Sequence, residues 1–439
     1  MTFQDLKLSQ AVLKALADKE YTNPTPIQAK AIPLVLDQQD VLGCAQTGTG
    51  KTAAFAIPII ELLEKSKAKQ NSKTKKIRSL IVTPTRELAI QIGENIEAYA
   101  KYTDIRHTVI FGGVKQNRQV NRIKAGVDVL VATPGRLLDL IGQRHISLND
   151  IEVFVLDEAD RMLDMGFIND IRKLLRLLPA KRQSLFFSAT MPDNIQTLSR
   201  QILNNPKKVE VAAVSSTAET IQQYLYYTDK HSKKELLMHI LQDEELEQVL
   251  LFSRTKHGAD KIVRSLKQKN INAAAIHGNK SQVQRQKALK AFKENDVRVL
   301  VATDIAARGI DINELRHVIN YDIPNISETY VHRIGRTGRA GKEGVAISIC
   351  EPEENADIRA IEKLINMKIE IIKDNPFPQT TKPMTAAEKK EANKAKQRKK
   401  QEFFANRKKN STRSGNTGGR GNGNASRNKS SRPKSKNRG

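Results

Sequence analysis

At 439 residues the chain exceeds a single ordinary core, and a domain size of ~100–200 residues sets two domains plus additional sequence as the expectation. Lys and Arg outnumber Asp and Glu by 74 to 48, a formal net charge of +26, which points to a polyanionic partner such as nucleic acid. No apolar stretch approaches the ~18 residues of a membrane span, and Met1-Thr2-Phe3-Gln4-Asp5 has neither the basic nor the apolar region of a secretion signal. Cys44 and Cys350 lie far apart beside strand-like runs and read as small buried thiols. A soluble, cytoplasmic protein without disulfides is therefore expected.

In chain order, short apolar runs at 41–44, 80–83, 127–132, 153–156 and 185–188 alternate with segments of helical period. That alternation predicts a parallel sheet covered by helices on both faces, an α/β fold. The rhythm restarts with runs at 223–227, 249–253, 273–277, 297–302, 317–321 and 345–350, which predicts a second, similar α/β domain. The polar stretches Asn204-Asn205-Pro206-Lys207-Lys208 and Ser215-Ser216-Thr217-Ala218-Glu219 read as an interdomain connection. The expected boundaries are 1–205 for the first domain, 206–219 for the linker, 220–376 for the second domain and 377–439 for a basic tail. Residues 382–439 hold 19 Lys and Arg against 3 Glu, a net +16 of the chain's +26. With so few apolar residues the tail cannot bury a core and is expected to be disordered.

Ala45-Gln46-Thr47-Gly48-Thr49-Gly50-Lys51-Thr52 lies between a predicted strand and a predicted helix, as a phosphate-binding loop requires. Its first position is Ala45 where Gly is usual. Glycines let backbone N–H groups approach phosphate, Lys51 can reach the terminal phosphates, and the Thr52 hydroxyl can ligate Mg²⁺. Asp157-Glu158-Ala159-Asp160 follows the apolar run Val153-Phe154-Val155-Leu156. Adjacent carboxylates at a strand end suit phosphoryl transfer to water, one holding hydrated Mg²⁺ and the other polarising the attacking water.

The ordered set Tyr21-Thr22-Asn23-Pro24-Thr25-Pro26-Ile27-Gln28, the loop at 45–52, Pro84-Thr85-Arg86-Glu87-Leu88-Ala89, Thr133-Pro134-Gly135-Arg136, Asp157 to Asp160, Ser188-Ala189-Thr190 and His332-Arg333-Ile334-Gly335-Arg336-Thr337-Gly338-Arg339 resembles the motifs of DEAD-box ATP-dependent RNA helicases. The resemblance covers roughly residues 3–350 and is closest in texture to the bacterial RhlE-type branch. It implies two RecA-like parallel-sheet domains in tandem, the superfamily 2 helicase core, using ATP and Mg²⁺. It also implies that Gln28 reads the adenine edge and that Phe3 stacks on the base; the alternative for Phe3 is a hydrophobic staple on the first helix. Arg336 and Arg339 would act as arginine fingers, His332 would couple the nucleotide and RNA sites, and Asp311 would hold the ribose. Asp160, Ser188 and Thr190 would link nucleotide state to RNA grip. Glu20 stands where the family often has Gly.

Pro84, Thr85, Arg86, Gly112, Gly113, Thr133, Pro134, Gly135, Arg136, Arg254, Gln282 and Arg285 lie at or soon after predicted strand ends, and their chemistry suits phosphate and sugar contacts rather than base reading. The resemblance adds Thr303 and Gly309 and supplies the preference for RNA over DNA. The expected activity is RNA-stimulated ATP hydrolysis that closes two domains on single-stranded RNA and unwinds short duplexes. A non-catalytic RNA clamp and a DNA-directed helicase are the other readings. The tail is expected to tether RNA nonspecifically, the core to be monomeric, and the targets to be ribosomal RNA, pre-ribosomal particles or the RNA decay machinery.

Overall fold

The computed structural model describes residues 1–46, 48–67, 76–211, 221–307, 315–338 and 344–383, together with Glu388, Glu391, Lys394, Arg398 and Glu402. Met1–Thr381 is one compact unit and Lys382–Gly439 a second. The first unit contains two lobes, each built on a seven-stranded sheet in which every pairing is parallel.

The strands of the first lobe are β1 (Val41–Cys44), β2 (Ser79–Val82), β3 (His107–Ile110), β4 (Val129–Ala132), β5 (Val153–Leu156), β6 (Gln183–Ser188) and β7 (Lys207–Glu210), in the order β3-β4-β2-β5-β6-β1-β7. Those of the second are β8 (Ile221–Tyr227), β9 (Val249–Phe252), β10 (Ala273–Ile276), β11 (Val299–Ala302), β12 (His317–Asn320), β13 (Gly344–Cys350) and β14 (Glu370–Ile371), in the order β10-β11-β9-β12-β13-β8-β14. Strand for strand, the second order repeats the first.

Because side chains alternate across a strand, each sheet feeds two cores. Ile81, Val153 and Val155 enter one apolar cluster of the first lobe, while Leu80, Val82, Phe154 and Leu156 enter the other. In the second lobe Val249 and Leu251 face one cluster, and Leu250 and Phe252 face another. Full burial of each such side chain contributes about 1.5–3 kcal/mol, and this two-sided burial is why the central strands read as unbroken apolar runs.

Two boundaries differ from the sequence expectation. Lys207–Glu210, assigned above to the connection, is the edge strand β7 and pairs with Val41–Cys44. Its Lys and Glu side chains point to solvent and only Val209 is buried, so its pattern resembles a polar linker. Residues 377–381, assigned to the tail, dock on the second lobe: Phe377 packs against the core, Gln379 N donates to Tyr227 O at 3.1 Å, and Thr380 and Thr381 donate to the Asp229 carboxylate through both their amides and their hydroxyls. Within the tail, the described residues Glu388, Glu391, Lys394, Arg398 and Glu402 are helical and exposed. Ala, Glu, Lys and Gln, which are strong helix formers, dominate that stretch of sequence. The rest of the expected disordered tail lies outside the described residues, as do residues 212–219 of the expected linker.

Among the described residues, no helix is long and apolar enough to cross a membrane. Both cysteines are free, Cys350 buried and Cys44 half-buried.

Candidate functional site

A parallel sheet gathers its carboxyl-end loops on one side, and the motifs sit there. Between β1 and helix α3 (Lys51–Lys67), the loop turns through Gly48 at φ 89° and Gly50 at φ 93°, conformations that favour glycine. A Cβ at Gly50 would run into the amide of Gln28 and the hydroxyl of Thr25. Those two residues brace the loop: Gln28 Nε2 donates to Gly50 O at 3.2 Å and Thr25 Oγ1 donates to Thr49 O at 2.8 Å. Gln28 Oε1 accepts from Thr25 N at 2.9 Å, completing the capping box of the helix Pro26–Leu36. Lys51, buried at 6% exposure, donates from Nζ to Ala45 O at 2.6 Å.

Asp157 and Glu158 follow β5 and are buried. Burial pushes Asp157 up to about 7, against the opposing pull of Lys51. Glu158 adopts the left-handed conformation (φ 54°, ψ 50°), which is strained for a side-chain-bearing residue. Its Oε1 accepts from Arg161 NH1 at 2.6 Å, and its Oε2 is buried with no hydrogen-bond partner. A cleft of about 380 Å³ brings these acids together with Gly48, Gly50, Lys51, Thr52 and Tyr21. The donor set around Asp157 and Thr52 is all oxygen, suited to a hard divalent cation shared with phosphate oxygens. Among the described residues, no cluster of three or more His, Cys, Asp or Glu could hold a metal without such help.

Asp160 joins β5 to β6. Thr190 donates to its Oδ2 from N at 3.1 Å and from Oγ1 at 3.2 Å, while Asp160 N donates to Ser188 Oγ at 3.3 Å. Burial alone would raise the Asp160 carboxyl, but Arg161, Lys51 and His332 together hold it below its ordinary value. His332 lies on the helix Ser327–Ile334 of the second lobe, so charge from one lobe reaches the carboxylate of the other. A cavity of about 20 Å³, room for about one water, is lined by Gln46, Arg161 and Ala189 from the first lobe and by His332 and Arg336 from the second. Arg336 is buried and donates from Nε to His332 O at 3.3 Å. Arg333, between them in sequence, is a structural residue. It pairs with Asp304 at 2.5 Å and donates to Asn320 and to the Asp322 carbonyl.

A second contact joins the lobes. Glu87 of helix α4 (Arg86–Tyr99) accepts from Gln282 Nε2 at 2.9 Å and from Arg285 NH2 at 2.8 Å. Gln282 and Arg285, expected on the RNA surface, are thus engaged by a buried acid that needs partners.

The other residues expected to meet RNA are distributed over both lobes. In the first, Pro84, Thr133 and Pro134 are buried, and Thr85 caps α4 by accepting from Leu88 N at 3.3 Å. Gly113, at φ 80°, faces the Arg86 guanidinium, and a Cβ there would strike it; Gly112 lies alongside. Gly135 is exposed, while Arg136 is braced by Gln119 Oε1 at 3.1 Å and Val114 O at 3.2 Å. In the second lobe, Arg254 is about half exposed and pairs with Glu354 at 2.5 Å, and Thr303 begins a short helical turn by accepting from Ala306 N.

Phe3, expected to stack on a base, is buried in the core and stacks on Tyr21 at 6.2 Å. The more exposed Tyr21 ring is the one that lines the cleft, and sequence reasoning quoted it without giving it a role. Glu87 and Arg161 were likewise overlooked, although an acid inside an apolar helix start was a usable signal. Thr47, Gly309, Asp311 and Arg339 lie outside the described residues.

Fold and site together define a tandem RecA-like P-loop ATPase of the helicase type, in which the phosphate loop and carboxylates of one lobe face an arginine-bearing helix of the other. The family model for the DEAD/DEAH box helicase matches residues 25–198, and that for the helicase conserved C-terminal domain matches residues 232–341. The DEAD-box ATP-dependent RNA helicase CshA of Geobacillus kaustophilus is 46% identical over 374 residues, 85% of this chain and 78% of the relative. RhpA of Helicobacter pylori, also a DEAD-box ATP-dependent RNA helicase, is 44% identical over 84% of this chain and 74% of the relative. S. cerevisiae Dbp5 bound to RNA and ADP BeF3 superposes with a TM-score of 0.75 at 31% identity, over 84% of this chain and 95% of Dbp5. The chain belongs to the DEAD-box ATP-dependent RNA helicases.

Proposed function

We propose that ATP bound at the 45–52 loop draws the two lobes together on single-stranded RNA, that hydrolysis releases the grip, and that the bent strand so held separates short duplexes locally. The observation that carries this reading is the division of the site, with Lys51, Asp157 and Glu158 on one lobe and His332 and Arg336 on the other. An open form leaves the arginine too far away to act, so hydrolysis is gated by closure.

Thr52 and Asp157 would hold Mg²⁺, the latter partly through water; bound there, the ion neutralises charge on the β- and γ-phosphates. Glu158 is the general base, and Arg336 and Arg339 stabilise the charge developing on the γ-phosphate. Gln28 reads adenine, Tyr21 supplies the stacking ring with the buried Phe3 behind it, and Asp311 holds the ribose. Asp160, Ser188 and Thr190 relay nucleotide state to the RNA face, where Thr85, Arg86, Gly112, Gly113, Gly135, Arg136, Arg254 and Thr303 contact the backbone. The basic tail adds salt-sensitive affinity, so removing residues 382–439 should weaken RNA binding and flatten its salt slope. An unchanged slope in a binding titration counts against that role.

Ribosome assembly or RNA decay, in the cytoplasm and with a monomeric core, are the settings we favour. Placement in the RhlE-type branch rests on core texture and the short basic tail, whereas the relatives above carry the names CshA and RhpA. The governing test is RNA-stimulated ATP hydrolysis in wild type and Glu158→Gln. Strong stimulation lost in the variant is expected; absence of stimulation in the wild type, or equal stimulation by matched single-stranded DNA, overturns the reading.

A further inference from the structure

We propose that Arg161 is a positioning residue for hydrolysis, fixing one oxygen of Glu158 so that the other is presented to the attacking water. The proposal rests on the reading of Glu158 as the base. Arg161 lies three residues after Glu158 on the helix Ala159–Asp164, a spacing that brings two side chains onto one helical face. NH1 donates to Glu158 Oε1 at 2.6 Å, and both side chains are almost wholly buried. Oε2 of the same carboxylate is buried without a partner. A carboxylate only accepts hydrogen bonds, so a water donating to Oε2 satisfies it and has its own oxygen free to attack.

In that step the water oxygen bonds to the γ-phosphorus, the bridging bond to ADP breaks, and the water proton passes to Oε2. The rotation of the carboxylate decides whether Oε2 points at that water, and a planar guanidinium fixes the rotation better than a point charge can. The backbone contributes as well. Glu158 is held in its left-handed conformation by its own N–H, which donates to Asp157 Oδ1 at 3.0 Å, and by its carbonyl, which accepts from Met162 N at 3.1 Å.

The guanidinium also has a second neighbourhood. Arg161 lines two cavities of about 20 Å³ each, both shared with His332 and Arg336 of the second lobe. One side chain therefore touches the base and borders the arginine-bearing helix, so arrival of the second lobe is felt where the base is aimed. A buried ion pair is weak support for stability by itself, which is why a role in orientation accounts better for its presence.

The experiment uses the full chain with Arg161→Gln and Arg161→Lys, alone and on the Glu158→Gln background. RNA-stimulated turnover is measured together with retention of a fluorescent single-stranded RNA in the presence of AMP-PNP. Turnover in both single variants should fall about 10- to 10²-fold, as expected for a misaimed catalytic group, with the KM for ATP and RNA little changed and AMP-PNP-dependent retention kept. On the Glu158→Gln background neither substitution should lower turnover further. Unchanged or raised turnover overturns the proposal, the latter meaning that Arg161 restrains the base. Loss of retention in step with turnover, or full rescue by Lys, also overturns it by reducing the pair to a structural one. If Glu158→Gln itself leaves turnover intact, the base reading fails instead, and the two failures are told apart.

Discussion

The carboxyl ends of the two sheets occupy the same place in the same topology yet do different chemistry. In the first lobe, the loop between β1 and Lys51 contains Gly48 and Gly50, and Lys51 donates to the carbonyl of Ala45 in that loop. In the second, the loop from Thr228 to Ser232 has no glycine, and Lys233, again the first residue of its helix, donates to Glu354 at 2.9 Å and lies 3.7 Å from Asp322. Asp322 follows β12 as Glu158 follows β5. A protein carboxylate, Glu354, thus holds the second lobe's lysine, whereas Lys51 lines an open cleft in the first. Two copies of one scaffold yield one nucleotide site because the second copy supplies its own anion.

That contrast can be broken or sharpened by experiment. The largest effect is expected from Arg336→Ala, which removes the second lobe's contribution across the cleft. RNA-stimulated turnover should drop by ~10³–10⁵ while binding of a fluorescent ATP analogue persists. If nucleotide binding is lost as well, the second lobe does more than complete the site.

Next is Lys233→Met, which removes the buried partner of Glu354 and leaves that carboxylate to Arg254 and two backbone N–H groups. Chemical denaturation of the second lobe should show a loss of ~1.5–3 kcal/mol, the range for a hydrogen bond to a charged group, with Lys233→Met/Glu354→Leu recovering part of it. Recovery failing, or the double variant gaining nucleotide affinity, would change what the pair is for.

Glu87→Ala removes the acid shared by Gln282 and Arg285, and should weaken lobe docking by ~1.5–3 kcal/mol, read as a shift in energy transfer between labels on the two lobes. Equal transfer before and after would mean that the contacts of the 332–336 segment hold the lobes without Glu87.

The smallest effect concerns Asp229. Hydrogen bonds from Thr380 and Thr381 hold its carboxyl below the usual range. A lowered folded-state value means the clasp is at full strength above the ordinary carboxylate pKa of ~3.9 and is lost as pH falls through the depressed one. The protection of the Thr380 and Thr381 amides relative to intrinsic exchange should therefore persist through mild acid and fall only below the depressed value, and should already be low at neutral pH in Asp229→Ala.

The strands that the sequence hid share a position. β3, β7 and β14 are all sheet edges, with a half-buried or exposed pattern in place of an apolar run. An edge strand covers less core, so its side chains need not advertise it. Site residues divide in the same way. The phosphate loop and the acids after β5 were legible because glycine, lysine and carboxylate chemistry is local to a few residues. Which of Phe3 and Tyr21 faces the cleft, and whether Arg285 meets RNA or Glu87, depends on packing between segments far apart in sequence.

By itself, then, the sequence determined two α/β lobes, through short-range periodicity, and the loops that carry phosphate chemistry and the family resemblance, through short motifs whose residues are neighbours in the chain. Tertiary structure alone decided that the two sheets share one strand order, that Glu354 closes the second lobe's counterpart site, and that Arg161 stands between the base and the facing lobe. Those outcomes depend on which buried charges meet, and burial makes pairing obligatory without dictating the partner.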